Sequence, residues 1–366
     1  MNRQNQILSG ILVLQLALVV FLFWPDRNAN ASVEPLYAGT TIEDIQAMTV
    51  SDQEKSIKIS RGDSDNTWVL PEAGDFPVTT VQASDAISKV LTIDTRRLVA
   101  STATSHSRLE VTAEDFVRRV DLETKDGQSF TLYVGSAPSF RSTNVRRGDS
   151  DNVYLTSGLT ADDLRTDYGS WINTTYLAIP EADIQAVTID NAQGTVQFTR
   201  PTTTTWTLAD LADGEIFSQN NLTSLLTRLS GFNMVRPLGK AEQPAYGMAT
   251  PSATVTIQSQ PAGGEAKTTT LVIGQQNAET NNYVIKSSDS EYYVEVASFS
   301  VENFINRGRD AYLTPPPTPE ATTPITATNF ITGFEGITTT TPISASVGDV
   351  TATTPVTATE VVTPAQ

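Results

Sequence analysis

The residue types that most often carry catalysis are scarce in this chain of 366 residues, which has no cysteine and one histidine, His106. Without cysteine, disulfides, thiolate nucleophiles, iron–sulfur clusters and cysteine-based zinc sites are excluded. A Ser-His-Asp triad would have to use His106. That residue lies in a serine- and threonine-rich run at 101–107, which we predict to be a solvated loop. We therefore assign no catalytic, cofactor-binding or metal-ligating residue.

One hexapeptide, Arg-Gly-Asp-Ser-Asp-Asn, occurs twice, at 61–66 and 147–152. Glycine, aspartate and asparagine favour tight turns because they tolerate positive φ angles and hydrogen-bond to their own backbone. Each copy precedes a strand-like segment, so we interpret both as hairpin turns. Adhesion through Arg-Gly-Asp and weak calcium binding stay open as alternatives, although the glutamate and the spacing of a calcium loop are missing.

The charge balance is strongly acidic, with a formal net charge of -17. Such a surface repels phosphate backbones, so nucleic acid is not an expected partner. The carboxylates follow no pattern that selects a glycosidase pair. Gly263-Gly264 lacks the lysine of a phosphate-binding loop and is predicted to be a hairpin turn.

Three arginine doublets stand out against this acidic background, at Arg96-Arg97, Arg118-Arg119 and Arg146-Arg147. Because they all fall in the first half of the chain, they could form a local positive patch. Solvated strand edges are the interpretation that we favour.

An uncharged apolar segment runs from Ile7 to Trp24. At a rise of 1.5 Å per residue, about 18 helical residues cover ~27 Å, which nearly spans the hydrocarbon core of a bilayer. We predict a single-pass anchor in the cell membrane, with the bulk of the chain extracytoplasmic. A signal peptide cleaved after Ala31 is the alternative, and it would export the same part of the chain.

The middle of the chain contains an internal repeat. The heptapeptide Asp44–Val50 recurs 139 residues later as Asp183–Ile189. Trp68 matches Trp206, Leu132–Gly135 matches Leu271–Gly274, and Tyr176-Leu177 matches Tyr312-Leu313. A period this long indicates two tandem domains rather than a solenoid. The predicted organisation is a cytoplasmic N-terminus (1–6), a transmembrane anchor (7–24), a linker (25–36), a first module (37–178), a second module (179–313) and a disordered tail (314–366).

Each module is predicted to be α+β, a mostly antiparallel sheet with one main helix packed on it. The main helices are expected at 83–91 and 221–229, where apolar residues recur at helical spacing. Strands are expected where apolar and polar residues alternate; they lie at 48–50, 57–59, 117–122, 130–134 and 153–155, and at 253–257, 270–273, 283–285 and 292–296. A short closing helix fits 161–165 and 301–305.

The tail after Leu313 is rich in threonine and proline and has no lysine or arginine. Proline lacks a backbone donor and threonine adds little apolar area, so no core can form there. We interpret the tail as an extended spacer or a glycan-bearing stalk. Its one apolar cluster, Phe330–Phe334, could dock on a partner.

The second module carries a recognisable order of motifs: Trp206, then Tyr246-Gly247 with Pro251, then Leu271–Gly274, then Tyr283-Val284. This order resembles the bacterial family DUF4340. The first module is similar but looser, because Arg108–Val111 stands where the Tyr-Gly turn is expected. The resemblance implies two tandem copies of an anchored exported domain, often encoded beside ABC transporters of the gliding-motility type. It implies no catalytic residues.

We therefore expect a membrane-anchored extracytoplasmic binding or scaffold protein, and not an enzyme. Its expected partners are the membrane and an ABC transporter permease or another envelope protein, and no cofactor is expected. Two alternatives remain: a carboxylate- or metal-dependent envelope hydrolase, and an adhesion protein that uses the Arg-Gly-Asp turns.

Overall fold

The computed structural model describes residues 34–64, 66–202 and 205–314, together with Leu12 and Gln15. The predicted anchor therefore lies outside the described residues except for Leu12 and Gln15, and the predicted tail does so except for Thr314. Within the described part of the chain, no helix combines the length and the apolarity needed to cross a bilayer.

The first nine strands form one antiparallel sheet. They are β1 (Ile45–Ser51), β2 (Ser56–Arg61), β3 (Trp68–Leu70), β4 (Phe76–Val78), β5 (Leu98–Ala100), β6 (Arg118–Thr124), β7 (Ser129–Val134), β8 (Thr143–Arg147) and β9 (Val153–Thr156). Their order across the sheet is β4-β3-β2-β1-β6-β7-β8-β9-β5. In β6, burial alternates along the strand, so that Val120 and Leu122 face the core.

The second sheet has eight antiparallel strands. They are β11 (Ile184–Asn191), β12 (Gly194–Thr199), β13 (Thr207–Leu208), β15 (Arg236–Gly239), β16 (Ala253–Ser259), β17 (Lys267–Gln276), β18 (Tyr283–Ser287) and β19 (Tyr293–Val296), while β10 (Thr175–Leu177) pairs separately with β14 (Phe232–Asn233). The order is β13-β12-β11-β16-β17-β18-β19-β15. Without its edge strand β4, the first sheet has the equivalent order, β3-β2-β1-β6-β7-β8-β9-β5.

Three α-helices complete the described fold: α1 (Thr80–Leu91), α2 (Gln219–Ser230) and α3 (Ser298–Asn306). Buried residues recur every three or four positions in both main helices, and in α2 all four are leucine. The predictions of α1 and α2 are confirmed, and each helix begins a few residues earlier than expected. The predicted closing helix at 301–305 is part of α3, whereas its counterpart at 161–165 is only a 3-10 turn, Ala161–Asp163.

A single continuous core runs through both sheets and all three helices. It includes the fully buried Trp68 and Phe198, one from each sheet. The described residues between 34 and 313 accordingly belong to one compact unit. The α+β prediction is confirmed at this level, since the described chain is mostly antiparallel sheet with packed helices.

The two sheets also agree in fine detail. The pairing of β1 with β6 shifts register between Ile45 and Ala47. The pairing of β11 with β16 shifts between Ile184 and Ala186, which are the same positions of the repeated heptapeptide. A β-bulge is a specific local feature, so the two sheets share more than their strand order.

One landmark of the sequence repeat is wrong in register. Tyr312 was matched to Tyr176, but its structural counterpart is Trp171. Thr79, just before α1, donates from its backbone N–H to the carbonyl of Trp171 at 2.7 Å, and Ser218, just before α2, donates to Tyr312 at 2.8 Å. Trp171 and Tyr312 are both large, buried aromatic residues. Because one is a tryptophan and the other a tyrosine, the Tyr-Leu pairs did not mark equivalent positions. We therefore call residues 34–172 the first half and 173–314 the second half.

Candidate functional site

The two halves meet through two glycines. Gly74 follows a 3-10 turn, Pro71–Ala73, and has a φ of +66°; Gly239 ends β15 with a φ of +99°. A Cβ atom built on Gly74 would lie 3.2 Å from the Gly239 Cα and 3.2 Å from the Lys240 nitrogen. The backbones therefore approach so closely that side chains other than hydrogen do not fit without a shift.

An aromatic contact seals the junction beside these glycines. The rings of Phe76 and Tyr292 lie edge to face with their centroids 4.7 Å apart. The Tyr292 hydroxyl donates to the backbone carbonyl of Asp75 at 3.0 Å. Lys240 lies 5.1 Å from the centre of the Tyr292 ring and forms an ion pair with Glu291. Of these contacts, the Phe76–Tyr292 ring pair and the hydrogen bond from Tyr292 to Asp75 join the two halves, and Lys240 packs beside them within the second half.

A cleft of about 710 Å³ opens at this junction, and we call it the junction cleft. Both halves line it. The first half contributes Lys55, Ser56 and Thr166–Gly169, and the second half contributes Thr174, Met234–Arg236, Thr280, Asn282 and Glu295. Its volume falls within the range of small-molecule and cofactor sites, which occur preferentially between domains.

The chemical centre of the junction cleft is the ion pair between Arg236 and Glu295. Arg236 donates from Nε to Oε2 of Glu295 at 2.9 Å and from Nη2 to Oε1 at 2.8 Å. The Glu295 side chain is 1% exposed, whereas that of Arg236 is 35% exposed. This two-pronged geometry orients the guanidinium while leaving part of it accessible from the cleft.

Two amides complete the setting of Glu295. Asn277 donates from Nδ2 to Oε1 at 2.9 Å and Asn282 donates to Oε2 at 3.3 Å. Burial alone would raise the pKa of Glu295, but the hydrogen bonds and the charge of Arg236, with help from the two amides, hold that pKa below its usual range. Glu295 is therefore an ionised anchor and is not suited to donate a proton.

Most of the remaining lining residues are polar by type, but apolar atoms form the larger part of the lining surface. It includes the half-buried Tyr168, the exposed Thr280 and the charged Lys55 and Asp167. Val235, 43% exposed, adds an apolar contact. A held guanidinium and several hydroxyls set in a largely apolar lining suit recognition of a chain segment that presents a polar or anionic group beside apolar atoms.

A second cavity lies entirely in the first half, and we call it the Phe140 groove. It has a volume of about 1030 Å³ and includes the loop 137–141 between β7 and β8. Phe140 is 89% exposed at its rim. Arg141 and Glu110, which also line it, both have positive φ angles, +59° and +55°. Non-glycine residues in this conformation are strained, and such strain concentrates at functional sites.

The prediction that His106 is solvated is wrong. Its side chain is 6% exposed, because the 3-10 turn Ala103–Ser105 folds it inward. Nε2 donates to the backbone carbonyl of Asp151 at 2.9 Å. The histidine thus ties this turn to the second hexapeptide, a structural role that its polar neighbours in the sequence concealed.

The hairpin prediction for both hexapeptides is confirmed. The first connects β2 to β3 and the second connects β8 to β9, each as an antiparallel pair. Arg61 donates to the carbonyls of Ile45 and Ile42 and lies 4.2 Å above the Trp68 ring. These three contacts hold Arg61 to its own fold.

The arginine of the second hexapeptide is engaged in a similar way. Arg147 donates from Nε to Oδ1 of Asp149 at 2.8 Å and from Nη1 to the carbonyl of Leu36 at 3.2 Å. The arginine and the aspartate of this Arg-Gly-Asp therefore bind each other. That arrangement does not favour the adhesion interpretation.

The arginine doublets do not form solvated strand edges as we expected, apart from Arg96-Arg97 before β5. Arg118 and Arg119 belong to the interior strand β6. Arg146 in β8 is 7% exposed and donates to the carbonyls of Val111 and Ser150. These strands are interior because further strands pair on both sides of them.

Nor do the doublets concentrate positive charge. Arg96, Arg119 and Arg147 each form an ion pair with an aspartate two positions away, namely Asp94, Asp121 and Asp149. Three of the six arginines are thus neutralised locally.

Two aspartates from distant segments, Asp85 and Asp163, converge on Lys89, which pairs with both. No three histidine, aspartate or glutamate side chains among the described residues are placed to hold a metal ion. The calcium interpretation of the hexapeptide turns and the hydrolase alternative receive no support from these residues. Gly263-Gly264 is the turn of the β16–β17 hairpin, as predicted.

Sequence reasoning missed the pair at the centre of the junction cleft. Glu295 stands in the otherwise apolar strand Tyr293–Val296, every residue of which is buried. A charged residue in such a strand needs a partner, because an unpaired buried charge is costly. That pattern was available in the sequence, but nothing in it pointed to Arg236 as the partner.

The comparison with protein families decides the classification. The family model described as a domain of unknown function, DUF4340, matches residues 68–251, half of the chain. The chain belongs to the DUF4340 family. The match is single and runs from β3 to the residues before β16, so it crosses the predicted module boundary at 178–179. Arg236 lies inside the DUF4340 match and Glu295 outside it. No curated protein and no solved structure matches the chain.

Proposed function

We propose that this DUF4340 protein is a membrane-anchored, extracytoplasmic binding and scaffold protein of the cell envelope, and that the junction cleft is its contact site. The observation that supports this most directly is the fixed junction. A shared core and the contact of Gly74 with Gly239 keep both walls of the cleft in place. A preformed site loses little conformational entropy on binding.

The chemistry of the cleft favours binding over catalysis. Glu295 is ionised and satisfied by four side-chain donors, Arg236, Asn277, Thr280 and Asn282. Arg236 is the partly accessible charge, and an oriented guanidinium recognises carboxylate or phosphate oxygens and main-chain carbonyls well. We therefore propose a polar segment of another envelope protein as the occupant, with an ABC transporter permease of the gliding-motility type as the first candidate.

We also propose that the two halves are tandem copies of one ancestral module. Support comes from the common strand order, from the shared bulge at Ala47 and Ala186, and from two equivalent glycines. A Cβ on Gly135 or on Gly274 would in each case lie 2.0 Å from a backbone carbonyl, of Leu109 and Tyr246 respectively. On this proposal, the cleft is an interface between copies.

Co-purification tests the proposed function. The tagged full-length chain is recovered from gently solubilised membranes, and its partners are identified by mass spectrometry. Thr280→Trp should block the cleft, because Thr280 is exposed at its rim. We expect this variant to lose a transporter permease that the unaltered chain retains.

Thr223→Trp is the matched control, since Thr223 is an exposed threonine on α2 outside the cleft. It should recover the same partners as the unaltered chain. Identical partners from Thr280→Trp, or a chain that always purifies alone, would contradict the proposal.

A further inference from the structure

The edge strand β5 of the first sheet is the structural counterpart of β15, the strand that docks at the junction. Strand β5 pairs with β9 through Leu98 and Ala100, with a register shift between them. Strand β15 pairs with β19 through Pro237 and Gly239, with a shift at the same place. Leu98 therefore corresponds to Pro237, and Ala100 corresponds to Gly239.

These equivalent strands differ in what covers them. In the first half, Gly74 packs against Gly239 at the end of β15, and Phe76 packs against Tyr292, just before the neighbouring strand β19. No described residue covers β5 in this way, since Leu98 is 55% exposed and Val99 is 45% exposed.

Phe140 is another exposed apolar residue of the first half whose counterpart lies at the junction. It precedes Arg141, whose φ is +59°, in the connection between β7 and β8. Thr280, which lines the junction cleft, precedes Asn281, whose φ is +56°, in the connection between β17 and β18. We call the two exposed residues of β5, Leu98 and Val99, the edge surface. Its members are apolar and exposed at positions whose counterparts lie at the junction.

The other side of the junction also has an uncovered counterpart. Residues 71–79, which include the short strand β4, lie between β3 and α1, and residues 209–218 lie between β13 and α2. In the second connection Leu211 is 40% exposed and Ile216 is 66% exposed. We call these two residues the end surface.

We propose that the end surface of one chain docks on the edge surface of a second copy, which repeats between chains the contact that joins the two halves within a chain. Charge supports this pairing. The exposed Arg97 adjoins Leu98, and the exposed Asp210 and Asp213 adjoin Leu211. Exposed apolar residues that cluster in this way mark interaction sites.

The contact is heterologous, because it joins two different surfaces. Each chain in an assembly therefore keeps one surface free, and copies add head to tail. This assembly is independent of the proposed cleft ligand, since the edge surface and the end surface lie at the ends of the two sheets and not in the junction cleft.

Site-specific crosslinking of the full-length chain tests the proposal. The chain has no native cysteine, so Ala100→Cys and Ala212→Cys introduce the only thiols. Ala100 corresponds to Gly239, and Ala212 lies in the connection that corresponds to the segment around Gly74. With a short bis-maleimide in membranes, the double variant should form a ladder of two, three and more chains. Either single variant should stay monomeric, and a mixture of the two should stop at dimers.

Disruption of either surface gives a second readout. Leu98→Glu and Ile216→Lys, each added to the double-cysteine chain, should abolish the ladder. The new glutamate would face Asp210 and Asp213 of the next chain, and the new lysine would face Arg97, so each substitution adds repulsion across the contact. Val81→Glu is the control, because Val81 is 77% exposed on α1 outside both surfaces, and it should leave the ladder intact.

Three results overturn the proposal. One is a chain that stays monomeric at every concentration. Another is a single Ala100→Cys variant that crosslinks to itself, which indicates a symmetric contact. The third is crosslinking of Ala100→Cys to a different protein, which shows that the occupant is not a second copy.

Discussion

Gly74 and Gly239 touch backbone to backbone where the two sheets join, and both have positive φ angles. Gly74→Ala should therefore destabilise the fold twice, through left-handed strain and through the contact 3.2 Å away. We expect a loss of about 2 kcal/mol in the free energy of unfolding. Urea unfolding followed by tryptophan fluorescence measures it.

The matched control for that prediction is Gly39→Ala. Gly39 has a φ of +83°, but a Cβ there would meet nothing within 4 Å. Gly39→Ala should lower the free energy of unfolding by about 1 kcal/mol, which is the cost of the left-handed backbone alone. Equal losses at both positions would show that the junction contact contributes nothing.

The equivalent glycines Gly135 and Gly274 give a second prediction. An alanine at either position would place its Cβ 2.0 Å from a backbone carbonyl oxygen, which cannot move aside cheaply. Both substitutions should cost about 3 kcal/mol or more, and by similar amounts. Gly231→Ala, with open space around it, is the control. Thermal unfolding of all three variants decides, and a tolerated alanine at one position would break the equivalence of the halves.

Glu110 offers a stabilising substitution. Glu110 has a φ of +55° and follows Leu109, whose carbonyl lies against Gly135. In the second half, Gly247 has a φ of +68° and follows Tyr246, whose carbonyl lies against Gly274. Glu110→Gly should relieve left-handed strain and raise the free energy of unfolding by about 0.5–1 kcal/mol, after the entropy cost of glycine. The opposite substitution, Gly247→Ala, should destabilise. A loss of stability in Glu110→Gly would mean that its side chain makes a compensating contact.

Glu295 predicts a pH dependence. Its pKa in the folded chain lies below the usual range, so its contribution to stability is present above the unfolded pKa, about 4.3. That contribution is lost as pH falls through the folded pKa. Glu295→Gln should cost about 2 kcal/mol at pH 7, because it weakens charged hydrogen bonds to Arg236.

The same variant should lose less stability than the unaltered chain when the pH falls from 5 to 3, since it lacks the titrating group. Urea unfolding across this range provides the comparison. Glu291→Gln is the control, because its ion pair with Lys240 is on the surface and such pairs contribute little. Parallel pH profiles for Glu295→Gln and the unaltered chain would refute the prediction.

Local patterns in the sequence predicted the two main helices and about half of the strands. The four leucines of α2 fall at helical spacing, and no competing pattern obscures them. Strand β8 was missed because Thr143, Asn144 and Arg146 are polar, although all three are buried. Their burial depends on partners from distant segments, such as the carbonyls of Ser136 and Val111.

The junction cleft could not be predicted for a similar reason. Gly74 and Gly239, like Phe76 and Tyr292, are far apart in sequence and meet only after both sheets have formed. Each is an unremarkable turn or strand residue in its local context. The repeat predicted that two similar units exist, but it could not predict how one packs on the other.

The described chain begins and ends at single β-bridges, Pro35 with Asp94 and Phe217 with Leu313. Tension between the two ends of the folded unit would reach these bridges before it reached any sheet. Leu36 adds one backbone hydrogen bond to Ile93 at the first of them. The two bridges are therefore the first contacts that such tension would load, ahead of the sheets and their junction.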